Sequence, residues 1–83
     1  MEENAIFERV QKTTAEVLRI PLEKITMESR FKEDLGADSL DLVSLLMALD
    51  EELNTALPDE REANISTVGD AVRFVKKHLD TAS

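Results

Sequence analysis

The chain predicts an all-α fold, a small four-helix bundle with three main helices, one short third helix and a long loop between the first two helices. Three observations carry that expectation. Apolar residues recur at helical spacing in three separate segments, and nothing between them alternates apolar with polar as a half-buried strand would. Two of the segments also open on an aspartate or hydroxyl residue with an acid three positions later, the pattern of a helix that caps its own first turn.

The first helix is expected over about residues 4–19, where Ile6, Phe7, Val10, Thr14, Val17 and Leu18 share a face. It stops before Pro21, because proline disfavours the helical conformation in the residue preceding it. Residues 21–38 break the periodicity, leaving Pro21, Ile25, Met27, Phe31 and Leu35 among polar neighbours. Those side chains are expected to pin an ordered loop, since a loop of this length inside a compact domain usually serves a function. Over residues 39–53 a rotation of about 100° per residue puts Leu42, Leu45, Leu46, Leu49 and Leu53 on one stripe facing the core. Leu40, Val43 and Met47 form a second stripe roughly 120° away, beside Ser44 and Glu51. With few neighbours to cover it, this second stripe is expected to stay partly exposed as a docking surface. Pro58 bounds a short polar helical piece near residues 59–62, which needs packing to hold it. The last helix starts at Ser66 or Thr67 with Asp70 as capping partner, and carries Val68, Ala71, Val72, Val75 and Leu79 on one face. Lys76, Lys77 and His78 are expected to close it, ahead of a frayed tail at residues 81–83.

Eighty-three residues make one domain, residues 1–83, with no room for a second. There is no cysteine, so disulfides and thiolate chemistry are excluded and any working thiol has to be imported. The acidic start at Glu2 and Glu3, and a longest apolar run of only Leu45 to Leu49, argue against a signal peptide or membrane span and leave the cytoplasm as the default; a monomer is expected. The net charge is −8, and residues 28–62 account for all of it with eleven acids against three bases. Such a field repels nucleic acid and steers basic protein partners.

The chemistry concentrates on the run Leu35-Gly36-Ala37-Asp38-Ser39-Leu40-Asp41. Gly36 frees the approaching backbone, Asp38 is suited to cap the helix, and Asp41 stands where the cap's reciprocal partner belongs. Ser39 is thereby presented at a helix start, where a phosphodiester on its oxygen would meet unpaired N–H groups and the positive end of the helix dipole. Nucleophilic catalysis by Ser39 lacks a base, because the sole histidine, His78, lies at the far end of the last helix and no Gly-x-Ser-x-Gly turn surrounds the serine. Asp34, Asp38 and Asp41 lack the spacing and central glycine of a calcium loop, so no dedicated metal site is expected.

From Phe31 to Glu52 the sequence FKEDLGADSLDLVSLLMALDEE resembles the attachment loop and second helix of bacterial type II acyl carrier proteins. Leu57-Pro58-Asp59-Glu60 and Ile65-Ser66-Thr67-Val68 are similar to that family's third helix and fourth-helix start, so the resemblance covers nearly the whole chain. It implies that a phosphopantetheinyl transferase attaches 4′-phosphopantetheine from coenzyme A to Ser39. The protein would then be a carrier of acyl thioesters and not an enzyme. It further implies that Asp38, Leu40, Asp41, Val43, Met47, Asp50, Glu51 and, on the third helix, Asp59 meet basic patches on acyl transferases, ketoacyl synthases and other lipid-synthesis enzymes. An interior whose only aromatics are three phenylalanines is pliable enough to admit an alkyl chain between the second and third helices, lined by Leu46, Leu57, Ala63 and Ile65. An ordinary aliphatic core fits the same composition.

Three positions depart from the family's common pattern. Ser44 stands where many members carry a recognition glutamate, Arg19-Ile20-Pro21 lacks the glycine often found after the first helix, and Phe74 takes a place frequently held by tyrosine. General fatty-acid synthesis and a specialised polyketide or modified-lipid pathway both remain open. The alternative from another class is an unmodified acidic adaptor that binds a partner helix through Leu40, Val43 and Met47. Only the carrier requires Ser39.

Overall fold

A first helix, α1 (Glu3–Leu18), packs against both later helices, α2 (Ser39–Leu53) and α3 (Val68–Ala82), and these two meet it more extensively than they meet one another. The computed structural model describes residues 2–53 and 65–82. The expected helical piece at residues 59–62, with Leu57, Pro58 and Ala63, lies outside the described residues, as does the side chain of Leu79. Among the described residues all regular elements are helical apart from one isolated β-bridge. The expected all-α architecture is therefore what forms.

α1 buries Ile6, Val10, Thr13 and Thr14, and sets Phe7, Val17 and Leu18 at the margin of the core. It ends on Arg19, whose backbone turns left-handed at φ 59°, ψ 49°, so that the N–H groups of Arg19 and Ile20 both reach the carbonyl of Ala15. This stop satisfies a helix-end carbonyl, and Pro21 then prevents any continuation. A glycine would take this conformation without cost, whereas a Cβ in the left-handed region is disfavoured.

The loop that follows is ordered by specific bonds. It opens with a short 3₁₀ turn, Leu22–Lys24, held from α1 by Gln11, whose Nε2 donates to the carbonyls of Leu22 (3.0 Å) and Ile25 (2.9 Å). Ile25 and Phe31 are almost wholly buried, while Met27 and Leu35 pack against the core's edge. Next comes a clasp to the start of α3. The Phe31 N–H donates to the Ser66 carbonyl at 2.9 Å, and the N–H groups of Val68 and Gly69 donate to the carbonyls of Ser29 (2.9 Å) and Met27 (2.8 Å). Gly69 has to be glycine for this contact, since a Cβ there would lie 2.9 Å from the Met27 carbonyl oxygen.

α3 is capped as its sequence implies. Thr67 Oγ1 accepts the Asp70 N–H at 3.1 Å, and Asp70 Oδ2 accepts the N–H groups of Thr67 (3.2 Å) and Ser66 (3.1 Å). The helix continues to Ala82, so Lys76, Lys77 and His78 stand before its last turn instead of closing it, and the expected fraying at residues 81 and 82 is replaced by helix. His78 turns back along α3, its Nδ1 3.1 Å from the Phe74 carbonyl oxygen and its ring 4.2 Å from that of Phe74.

Two outcomes follow for stability. Arg19→Gly relieves about 1–2 kcal/mol of left-handed strain, partly offset by about 0.4–1 kcal/mol of added unfolded-chain entropy. The variant is expected to be more stable by about 0.5–1 kcal/mol in urea unfolding. Asp70 is held below the ordinary carboxylate value by the Ser66 N–H first, then by the Thr67 N–H and the Arg73 guanidinium. Its folded value being the lower one, its stabilisation is complete above the unfolded value and drains away as pH falls through the folded one. Urea midpoints of the wild-type chain should therefore fall more steeply below about pH 5 than those of Asp70→Asn.

Candidate functional site

The start of α2 is built like the start of α3, with one difference. Asp38 Oδ1 accepts the Asp41 N–H at 2.9 Å and Asp41 Oδ2 accepts the Asp38 N–H at 3.2 Å, a reciprocal pair that sets Ser39 at the first helical position. In α3 the corresponding first two N–H groups are taken by loop carbonyls. Here, among the described residues, nothing accepts from the N–H of Ser39 or Leu40. Ser39 is exposed, and the loop delivering it is anchored on both sides, by Phe31 and by Ala37, which is also buried and donates its N–H to the Phe31 carbonyl at 2.8 Å. Between these anchors Gly36 turns the chain at φ +72°, with nothing within 4 Å of where its side chain would be. The result is an exposed serine on an anchored loop, beside two N–H groups at a helix N-terminus that have no partner among the described residues, with clear space at Gly36.

α2 separates its two stripes as the spacing predicts. Leu42, Leu45, Leu46 and Leu49 are buried and Leu53 is half-buried. On the other face Leu40 is 77%, Met47 61% and Val43 41% exposed, a contiguous apolar strip along the helix. Acids stand at both ends of the strip: Asp38 (exposed) and Asp41 (half-buried) at the start, Asp50 (half-buried) and Glu51 (exposed) further on. Ser44 is exposed within the uncharged middle. Glu52 faces the other way and pairs with Arg9 of α1 at 3.2 Å. Asp59 lies outside the described residues.

An apolar pocket lies between the buried leucines of α2 and Phe31, Ile65 and Ala71. Leu46 and Ile65 both line it, whereas Leu57 and Ala63, the other two residues named for an alkyl chain, fall outside the described set. Phe31, Leu45 and Ala71 line it too, and sequence reasoning did not place them there. The available signal for Phe31 was its standing as the one aromatic in the loop. Among the described residues no three acidic or histidine side chains are grouped to hold a metal ion.

Residues 8–75 match the family described as "Phosphopantetheine attachment site". The chain is 48% identical over 75 residues to an acyl carrier protein of Clostridium acetobutylicum, which spans 90% of this chain and 97% of that one. An acyl carrier protein of Wolinella succinogenes is 49% identical over 72 residues, 87% of this chain and 95% of the relative. One from Clostridium perfringens is 45% identical over 75 residues, 90% and 99% respectively.

The bonding at the start of α2 separates the two neighbouring residues by their effect on the fold. Asp38→Ala removes a cap and should cost about 1 kcal/mol in urea unfolding. Ser39→Ala removes a hydroxyl with no bond to the described residues and should change stability by less than about 0.5 kcal/mol.

Proposed function

The chain belongs to the acyl carrier protein family, and from that premise we propose that Ser39 is the residue to which 4′-phosphopantetheine is attached. The observation that supports the position is the free Ser39 hydroxyl beside the unpaired N–H groups of Ser39 and Leu40. A phosphodiester on that oxygen would meet the N–H groups of Ser39 and Leu40 and the positive end of the α2 dipole, and the open space at Gly36 would suit the arm. When attached, the group supplies the thiol this cysteine-free chain lacks, and with it the thioester linkage to an acyl cargo. The protein is a carrier in fatty-acid synthesis and not a catalyst.

The chain's own work is presentation and recognition. Tethering raises the effective concentration of cargo at each partner's active site. Leu40, Val43 and Met47 supply the apolar contact, and Asp38, Asp41, Asp50 and Glu51, with Asp59, supply charge for basic patches on phosphopantetheinyl transferase, acyl transferases and ketoacyl synthases. Exposed ion pairs contribute ~0–1 kcal/mol each, which suits partners that bind and release rapidly. Leu46 and Ile65, with Leu57 and Ala63, shelter the alkyl part of the cargo. The working unit is a monomeric single domain, residues 1–83, in the cytoplasm; among the described residues no helix is long and apolar enough to cross a membrane.

The test is the intact mass of the apo protein before and after incubation with coenzyme A, magnesium and a broad-specificity phosphopantetheinyl transferase, with Ser39→Ala in parallel. A gain of one phosphopantetheine by the wild type alone is the expected result. Modification of Ser39→Ala would move the site elsewhere, and an unmodified wild type would favour the adaptor that binds through the same exposed strip.

A further inference from the structure

We propose that Arg30 is a positioning residue for the modification of Ser39, clamping through Asp34 the turn that carries the serine to its helix start. The inference rests on the assignment of Ser39 as attachment site.

Arg30 grips Asp34 at three points. Its guanidinium meets the carboxylate as a fork, Nε to Oδ2 and Nη2 to Oδ1, both at 3.3 Å, and its backbone N–H donates to Oδ2 at 2.9 Å. In return the Arg30 carbonyl accepts the N–H groups of Asp34 (2.9 Å) and Leu35 (3.0 Å). Glu33 adds a further contact, 3.2 Å from Nη1. These bonds close the turn on one side of Gly36, and the Phe31 carbonyl closes it on the other through the Ala37 N–H. The next residue is the Asp38 cap. The turn therefore has a side-chain lock in addition to its backbone bonds, and that lock sits five residues before Ser39. Consistent with it, Arg30 and Asp34 hold one another in their charged forms, each through the hydrogen bond to the other.

In the transfer, Ser39 Oγ bonds to the phosphorus that carries the pantetheine arm. The bond from that phosphorus to adenosine 3′,5′-bisphosphate breaks, and the serine proton passes to a base on the transferase. The reaction requires Oγ in line with the departing bond, so a loosened turn lowers the fraction of docked complexes in reactive geometry. The exposed apolar strip lies on α2 and contains neither Arg30 nor Asp34. Loosening therefore acts on kcat.

A purely electrostatic role predicts the reverse. Arg30 is one of three bases among the eleven acids of residues 28–62, so deleting its charge should improve docking to a basic transferase and lower KM. The conservative variant separates the roles further, because lysine keeps the charge but cannot form the two-point fork.

The experiment measures kcat and KM for phosphopantetheine transfer from coenzyme A to the apo forms of wild type, Arg30→Ala and Arg30→Lys. Amide hydrogen exchange at Leu35, Ala37 and Phe31 is followed in each. Positioning predicts that both variants lose about three- to tenfold in kcat, with KM unchanged in Arg30→Lys, which keeps the charge. It also predicts faster exchange at Leu35 and Ala37, while Phe31, bonded to Ser66, stays protected. Unchanged kcat in Arg30→Ala, a lowered KM alone, or full recovery by Arg30→Lys overturns it. A wild-type chain that accepts no arm defeats the attachment assignment instead, and the exchange rates then decide the clamp alone, with unchanged rates at Leu35 and Ala37 overturning it.

Discussion

Three backbone hydrogen bonds between the long loop and the first turn of α3 govern how this molecule is arranged. A helix begins with four N–H groups that have no partner inside it, and burying them unpaired is costly. In α3 each is accounted for: Thr67 by Asp70, Val68 by the Ser29 carbonyl, Gly69 by the Met27 carbonyl, and Asp70 by the Thr67 hydroxyl. Satisfying the helix thus fixes the loop. Phe31, fastened in the same clasp, becomes the buried post from which the remaining seven residues run to Asp38. α2 starts with a matching capping pair but, among the described residues, no such clasp, and the N–H groups of Ser39 and Leu40 have no partner there. The two helix starts differ in whether a loop lies across the first N–H groups.

The two faces of α2 divide the remaining work. Its buried leucines attach it to α1, supported at the rim by the Arg9 to Glu52 pair, while α3 approaches α1 from elsewhere and leaves an apolar pocket under α2. Phe31 belongs both to that pocket and to the loop carrying Ser39. Ile65, another lining residue, directly precedes Ser66, which accepts the Phe31 N–H. The pocket and the loop that leads to Ser39 therefore share a wall.

Side-chain pattern made most of this legible in advance. The leucine stripe, the exposed strip of Leu40, Val43 and Met47, and both capping pairs follow from spacing alone, because helix geometry converts sequence separation directly into direction. The clasp was not legible, since it is made by backbone groups of Met27, Ser29, Phe31 and Ser66 and carries almost no side-chain signature; Gly69 is its one trace. Gln11 looked like any polar residue on a helix surface, yet it holds the 3₁₀ turn, which depends on how the loop folds back over α1. The C-terminal end of α3 was misplaced because three basic residues suit a last turn wherever it falls, and nothing after them forces a stop. Arg19 shows the opposite case: the missing glycine did not move the helix end, because Pro21 imposes it.

The hydroxyl of Ser39 carries none of the fold's hydrogen bonds to the described residues, while its neighbours on either side are firmly held. Folding and chemical maturation are consequently separable events. Attachment at Ser39, as proposed, would break none of the fold's hydrogen bonds among the described residues. The arm proposed for Ser39 would thus be an addition to a finished fold and not a part of it.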